Sequence, residues 1–211
     1  MTRLLGRRDI ARMAGGMGAG LLLASCHQAW KLDPQDVAAG TSFKPLKFTL
    51  TDAATGKTVT QADFRGKIVM LYFGYTHCPN VCPLTLSDTV HIFRTIGAPA
   101  QNIRFLFVTV DPGRDTLSVL HKYVALFGST NIIGLRGTEA QLGSAAARCD
   151  ARYTVHPSAD PADYTVTHTP QVYVFNRQGT AEFMILGLSS QNPDLKGIAA
   201  DLSHLVSANS A

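Results

Sequence analysis

Two apolar runs constrain this chain more than anything else in it. "IVMLYFGY" (68–75) and "IRFLFVTVD" (103–111) are continuous rather than alternating, the pattern of strands covered on both faces. Between them, "LTLSDTVHIFRTIG" (84–97) puts Leu86, Val90, Phe93 and Ile92 or Ile96 on one helical stripe. Two such strands joined through a helix make a parallel pair with the helix laid across it. Downstream, "TLSVLHKYVALFG" (116–128) predicts an amphipathic helix closed by Gly128, "NIIGLRG" a third strand and "EAQLGSAAARCDARY" a helix. "LKFTLTDAATGKTVT" reads as one hairpin, and "QVYVFN" with "AEFMILG" around "RQG" as another. "PDLKGIAADLSHLV" predicts a closing helix, with Pro193 in its first turn. The expectation is an α/β domain with a mixed central sheet, helices on both faces and an N-terminal β-hairpin.

This order of elements resembles the thioredoxin-like fold. The length, 211 residues with 45% apolar composition, suits one such domain with a real core. The formal charge of +4 is concentrated at the N-terminus: residues 1–25 hold Arg3, Arg7, Arg8 and Arg12 against Asp9, leaving 15 basic and 14 acidic residues elsewhere. No basic stripe remains for a phosphate backbone, so nucleic acid is not an expected partner.

The N-terminal segment reads as an export signal. A basic stretch precedes "MAGGMGAGLLLA", an apolar run too short to span a bilayer. Arg7-Arg8 resembles a twin-arginine pair without the usual hydrophobic residue two places on, which leaves the export route open. The run ends in "LLASC", which resembles a bacterial lipoprotein box. Cys26 would then be the lipidated mature N-terminus, anchoring an exported protein to the periplasmic side of a bacterial membrane. The expected organisation is a signal over 1–25, a tether over 26–44 and a folded domain over 45–208. Setting Cys26 aside leaves Cys78, Cys82 and Cys149, an odd number in a compartment that permits disulfides.

"THCPNVCPL" (76–84) places Cys78 and Cys82 where the first buried strand hands over to a helix, the edge at which α/β sheets collect their sites. Pro83 favours a helix starting nearby. Sulfurs there face unpaired amides and the positive end of a helix, which favours thiolate. A structural staple across three residues closes too small a loop to constrain the unfolded chain much. A redox pair and part of a metal site both stay open. If strand 171–176 runs antiparallel to 68–75, His168 in "YTVTHTPQVYVF" approaches both sulfurs. Two thiolates and an imidazole suit copper(I), and zinc less exclusively.

"DFRGKIVMLYFGYTHCPNVCPLTL", "VTVDPGRDT" and "YTVTHTPQVYVF", in that order, resemble the Sco/SenC family over roughly residues 43–206. The resemblance implies a membrane-tethered, thioredoxin-like protein that binds copper, as Cu(I) or Cu(II), through Cys78, Cys82 and His168. It implies a role in delivering copper to a cytochrome c oxidase subunit or another copper protein. The two cysteines would be thiolates with metal and cycle to a Cys78–Cys82 disulfide without it. Two positions depart from the family pattern, Asn80 and Thr167 standing where Asp is common. A periplasmic thiol-disulfide oxidoreductase acting through Cys78 and Cys82 is the alternative, and a peroxide-reducing enzyme or a purely structural lipoprotein domain are weaker ones. "HTPQ" also resembles the Thr-Pro of thioredoxins, which suggests a cis bond before Pro170.

Other residues carry plainer expectations. His77 is positional, Cys149 is a small core residue, and Asp111, Arg114 and Asp115 form a helix start, with Asp115 or Thr116 as its cap. Tyr72, Phe73 and Tyr75 fill the core and shield the site, and Met184 packs. Met13 and Met17 belong to the signal.

Overall fold

In the computed structural model the described residues are 37–39, 43–160 and 163–208. The signal, Met13, Met17, Cys26 and most of the tether lie outside them. Among the described residues, no helix is long and apolar enough to cross a membrane.

The central strand is β4 (Ile68–Gly74), every residue of which is buried. It pairs in parallel with β5 (Ile103–Thr109), which pairs in parallel with β6 (Ile132–Arg136). On its other edge β4 runs antiparallel to β9 (Val172–Phe175), as the placement of His168 required. β10 (Ala181–Ile185) continues the sheet beyond β9, and the hairpin β2 (Thr49–Asp52) and β3 (Thr58–Thr60) extends it beyond β6. The segment read as a tether contributes β1 (Val37–Ala39), an edge strand on β10. The order is β1-β10-β9-β4-β5-β6-β2-β3, a mixed sheet as expected.

Helices cover both faces. Leu120 of α2 (Leu117–Ala125) sits where a Cβ on Gly134 would be, 2.8 Å from it. That is the face of Tyr72 and Phe107, whose rings pack 5.9 Å apart. On the opposite face Phe43 meets Tyr173 edge-on at 5.4 Å, beside Cys149 at the end of α3 (Glu139–Arg148). The closing helix is α4 (Leu195–Ala208), two residues later than the proline suggested.

Other elements also differ from the sequence reading. α1 (Val81–Ile96) starts three residues early, because Pro83 falls in the first turn, where an amide has no intrahelical partner to lose. α3 stops short of Cys149 because Asp150 takes the left-handed region at φ 51°, a conformation Asp tolerates and one that ends helices. A two-stranded sheet, β7 (Tyr153–His156) and β8 (Thr165–His168), stands apart from the main one. The bond before Pro170 is trans, like every peptide bond among the described residues. The cis expectation is corrected: β8 leads straight through Thr169 and Pro170 into β9 without a tight turn.

Candidate metal centre

The cysteines lie where β4 ends and α1 begins. Asn80 is the residue before the helix, but its side chain makes no capping bond. The sulfur of Cys78 takes that role, accepting the first-turn amide of Cys82 at 3.4 Å. A helix N-terminus stabilises negative charge, so the sulfur that caps it is the one that ionises. Cys78 is half-buried, whereas Cys82, the second residue of the helix, is fully buried. Both are free thiols.

His168, the last residue of β8, completes the group. Its Nε2 lies 3.4 Å from the Cys82 sulfur. One ligand atom from each of Cys78, Cys82 and His168 falls within 4.8 Å of the others. The tautomer follows from the other ring nitrogen. Nδ1 lies 3.1 Å from the Thr169 carbonyl, which can only accept, so Nδ1 carries the proton and Nε2 of the neutral ring is bare. Tyr72 and Tyr75 hold the ring edge-on, with centroids at 5.7 and 5.8 Å. The Tyr72 hydroxyl donates to the Cys82 sulfur at 3.5 Å. Core filling, expected of Tyr72, is therefore only part of its role.

The two thiols titrate as a pair with opposite tendencies. The hydrogen bond from Cys82, helped by the backbone amides of Cys82 and Asn80, holds Cys78 well below the usual thiol range. Burial, and then the Cys78 charge, push Cys82 well above it. One proton is shared across the pair, and the exposed member is the thiolate. Two sulfurs and a bare imidazole nitrogen, in a pocket walled by aromatic rings, form a soft donor set that fits copper(I). The donors belong to three different elements, and only the fold brings them together.

The remaining expectations resolve as follows. His77 is not part of the Cys78–Cys82–His168 group; its Nδ1 lies 3.1 Å from the Thr76 hydroxyl. Cys149 is buried, and burial pushes its thiol up to about 12, so it is an inert core residue. Thr116 is the cap of α2, accepting from Val119 N at 3.2 Å. Asp115 instead accepts from Thr76 and Thr109. Tyr164 and Thr76 had no place in the sequence reading. The alternation of Tyr164, Val166 and His168, leading into and along β8, was the available signal, since an extended chain puts the three on one side.

A sequence model of the SCO1/SenC family matches residues 38–206. The mitochondrial SCO2 homolog of Bos taurus is 36% identical over 134 residues, covering 63% of this chain and 50% of that protein. The human mitochondrial SCO1 homolog is 34% identical over 165 residues, covering 76% of this chain and 53% of its own length. The chain thus spans about half the length of the curated relatives it matches. Among solved structures, Bradyrhizobium japonicum ScoI with copper bound superposes with a TM-score of 0.68 at 32% identity, covering 77% of this chain and 99% of that one.

Proposed function

This chain belongs to the SCO1/SenC family, and from that premise we propose that it binds one copper ion through Cys78, Cys82 and His168 and passes it on. The recipient would be the copper site of cytochrome c oxidase or of another copper protein. The carrying observation is the bare His168 Nε2 at 3.4 Å from the Cys82 sulfur, in a group whose donors match copper(I). ScoI of B. japonicum, solved with copper bound, is the relative that supports the choice of metal. The protein would be exported and held by lipid on Cys26 to the periplasmic side of a bacterial membrane, residues 45–208 forming its domain. Without metal, Cys78 and Cys82 would close a disulfide.

The test is copper(I) stoichiometry and affinity, by competition with a chromophoric chelator, for the reduced chain and its His168→Ala variant. One tightly held ion, lost or weakened at least about tenfold in the variant, is the expected result. Copper binding indifferent to His168 would exclude the three-ligand site.

The thiol asymmetry supports a second reading, a thiol-disulfide oxidoreductase. A half-exposed thiolate beside a buried thiol is the arrangement of an attacking and a resolving cysteine. That chemistry needs Cys78 and Cys82 but not His168. Disulfide reduction retained in His168→Ala, alongside absent copper binding, would move the assignment to it.

A further inference from the structure

The loop between β5 and α2 carries two buried carboxylates, Asp111 and Asp115, 3% and 0% exposed. With His77 they come close enough to look like a second cation site, but their oxygens are already occupied. Asp115 accepts the Thr76 hydroxyl at 2.6 Å on one oxygen, and the Thr76 amide at 3.1 Å and Thr109 hydroxyl at 2.6 Å on the other. Asp111 accepts Arg114 Nε at 2.7 Å and, on its other oxygen, the Tyr164 hydroxyl. Arg114 also donates to the Tyr164 carbonyl at 2.9 Å, with its guanidinium 3.6 Å over the Tyr164 ring.

What these bonds reach is informative. Thr76 stands two residues before Cys78, and Tyr164 stands four residues before His168. Among the described residues β8 pairs only with β7, so no ladder of the main sheet fixes its tilt. A four-residue strand segment is roughly 13 Å long, so a tilt of about 5° at the Tyr164 end moves the His168 end by about 1 Å. Such a movement is enough to break the 3.4 Å approach of Nε2 to sulfur.

We propose that Asp111 and Asp115 are paired positioning residues, Asp111 setting His168 through Tyr164 and Asp115 setting the cysteine loop through Thr76. One seven-residue loop thereby brings the two halves of the site into register. The inference rests on the copper reading only for the second of its two tests.

The first test needs no metal. The His168 ring, edge-on to Tyr72 and Tyr75, carries ring-current-shifted proton resonances in the full chain. In Tyr164→Phe, which keeps the ring under Arg114 and removes only the hydroxyl, those resonances move toward free-histidine positions while those of His91 stay. Unmoved His168 resonances overturn the role of Asp111. The second test is copper(I) affinity. Tyr164→Phe and Thr76→Val each weaken it about tenfold, and adding Tyr164→Phe to His168→Ala costs nothing further. Losses that add make Tyr164 merely structural and overturn the proposal, and full affinity in Thr76→Val overturns the role of Asp115. If His168→Ala itself leaves copper unaffected, the copper reading fails, and the resonances alone then decide the positioning role.

Discussion

Gly74, the last residue of β4, is where the packing beneath the sulfurs can be tested most directly. A Cβ there would lie 2.8 Å from Tyr72 Cε1, 2.9 Å from the Cys82 sulfur and 2.9 Å from Phe107 Cε2. Relaxed contacts of this kind sit at about 3.5–4.0 Å, so the neighbours must give way by roughly 0.6 Å or more. None has room. All three are fully buried, and the Tyr72 ring is flanked by Phe105 and Phe107 at 6.0 and 5.9 Å. Gly74→Ala is therefore an overpacking change costing about 1–3 kcal/mol. In a domain of this size that lowers Tm by roughly 3–10 °C. The sulfur displaced is one of the proposed copper ligands, so copper(I) affinity should fall at least about tenfold with it. Gly143 in α3 is the control, with nothing within 4 Å of its Cβ. Gly143→Ala should stabilise by about 0.5–1 kcal/mol and leave copper alone. Urea and thermal unfolding of the reduced, metal-free chains, beside chelator competition, read both quantities. Wild-type stability and wild-type affinity in Gly74→Ala would refute the claim that Tyr72, Cys82 and Phe107 close on this glycine without slack.

Two further predictions follow from the thiols. The bond from Cys82, with those from the Cys82 and Asn80 amides, keeps Cys78 a thiolate near neutrality. Its alkylation rate, mapped by mass spectrometry, should stay level from pH 8 to 6, where an ordinary thiol slows about tenfold per unit; an ordinary slope at Cys78 would contradict the assignment. Cys149, raised to about 12 by burial, must give up its proton earlier in the unfolded chain, near 8.5. Its contribution is whole below about pH 8.5 and drains away as pH climbs toward 12, at roughly 1 kcal/mol per unit. Cys149→Ala should flatten the fall in urea midpoint between pH 8 and 10, and parallel losses in the two proteins would count against it.

How much of this was legible in sequence depended on whether the signal was local. β4 and β5 declare themselves because strands buried on both faces are apolar at every position. Cys78 and Cys82 were legible because a helix start is a local feature, and His168 because one antiparallel pairing brings it to the same edge. The β7–β8 hairpin was not legible. Its strands, "YTVH" and "TVTH", are mostly exposed, so burial wrote no apolar pattern into them. Nor was the role of Asp111 and Asp115. Their partners Tyr164 and Thr76 are 53 and 39 residues away, and a buried carboxylate before a helix looks like a cap until those contacts are seen.

The same geometry bears on Asn80 and Thr167, the two positions where the family commonly has Asp. Both side chains are exposed. The capping that Asn80 omits is supplied by the Cys78 sulfur, so the helix start does not depend on a carboxylate there. Thr167 alternates away from His168 along β8, its hydroxyl 3.0 Å from His156 Nε2. The Asn80 amide donates to the Cys78 sulfur, but a substitution changes only the exposed side chain, and an added surface charge is worth about 0–1 kcal/mol, less once salt screens it. Asn80→Asp and Thr167→Asp should therefore each change copper(I) affinity by less than about fivefold at physiological salt. Of the two, Asn80→Asp should have the larger effect, because it adds negative charge next to the Cys78 thiolate and makes that thiolate harder to form without metal. A tenfold or greater change from Thr167→Asp would mean that this face of β8 reaches the metal after all. A small change would place the consequence of both departures on the surface a partner protein meets rather than on the ligands.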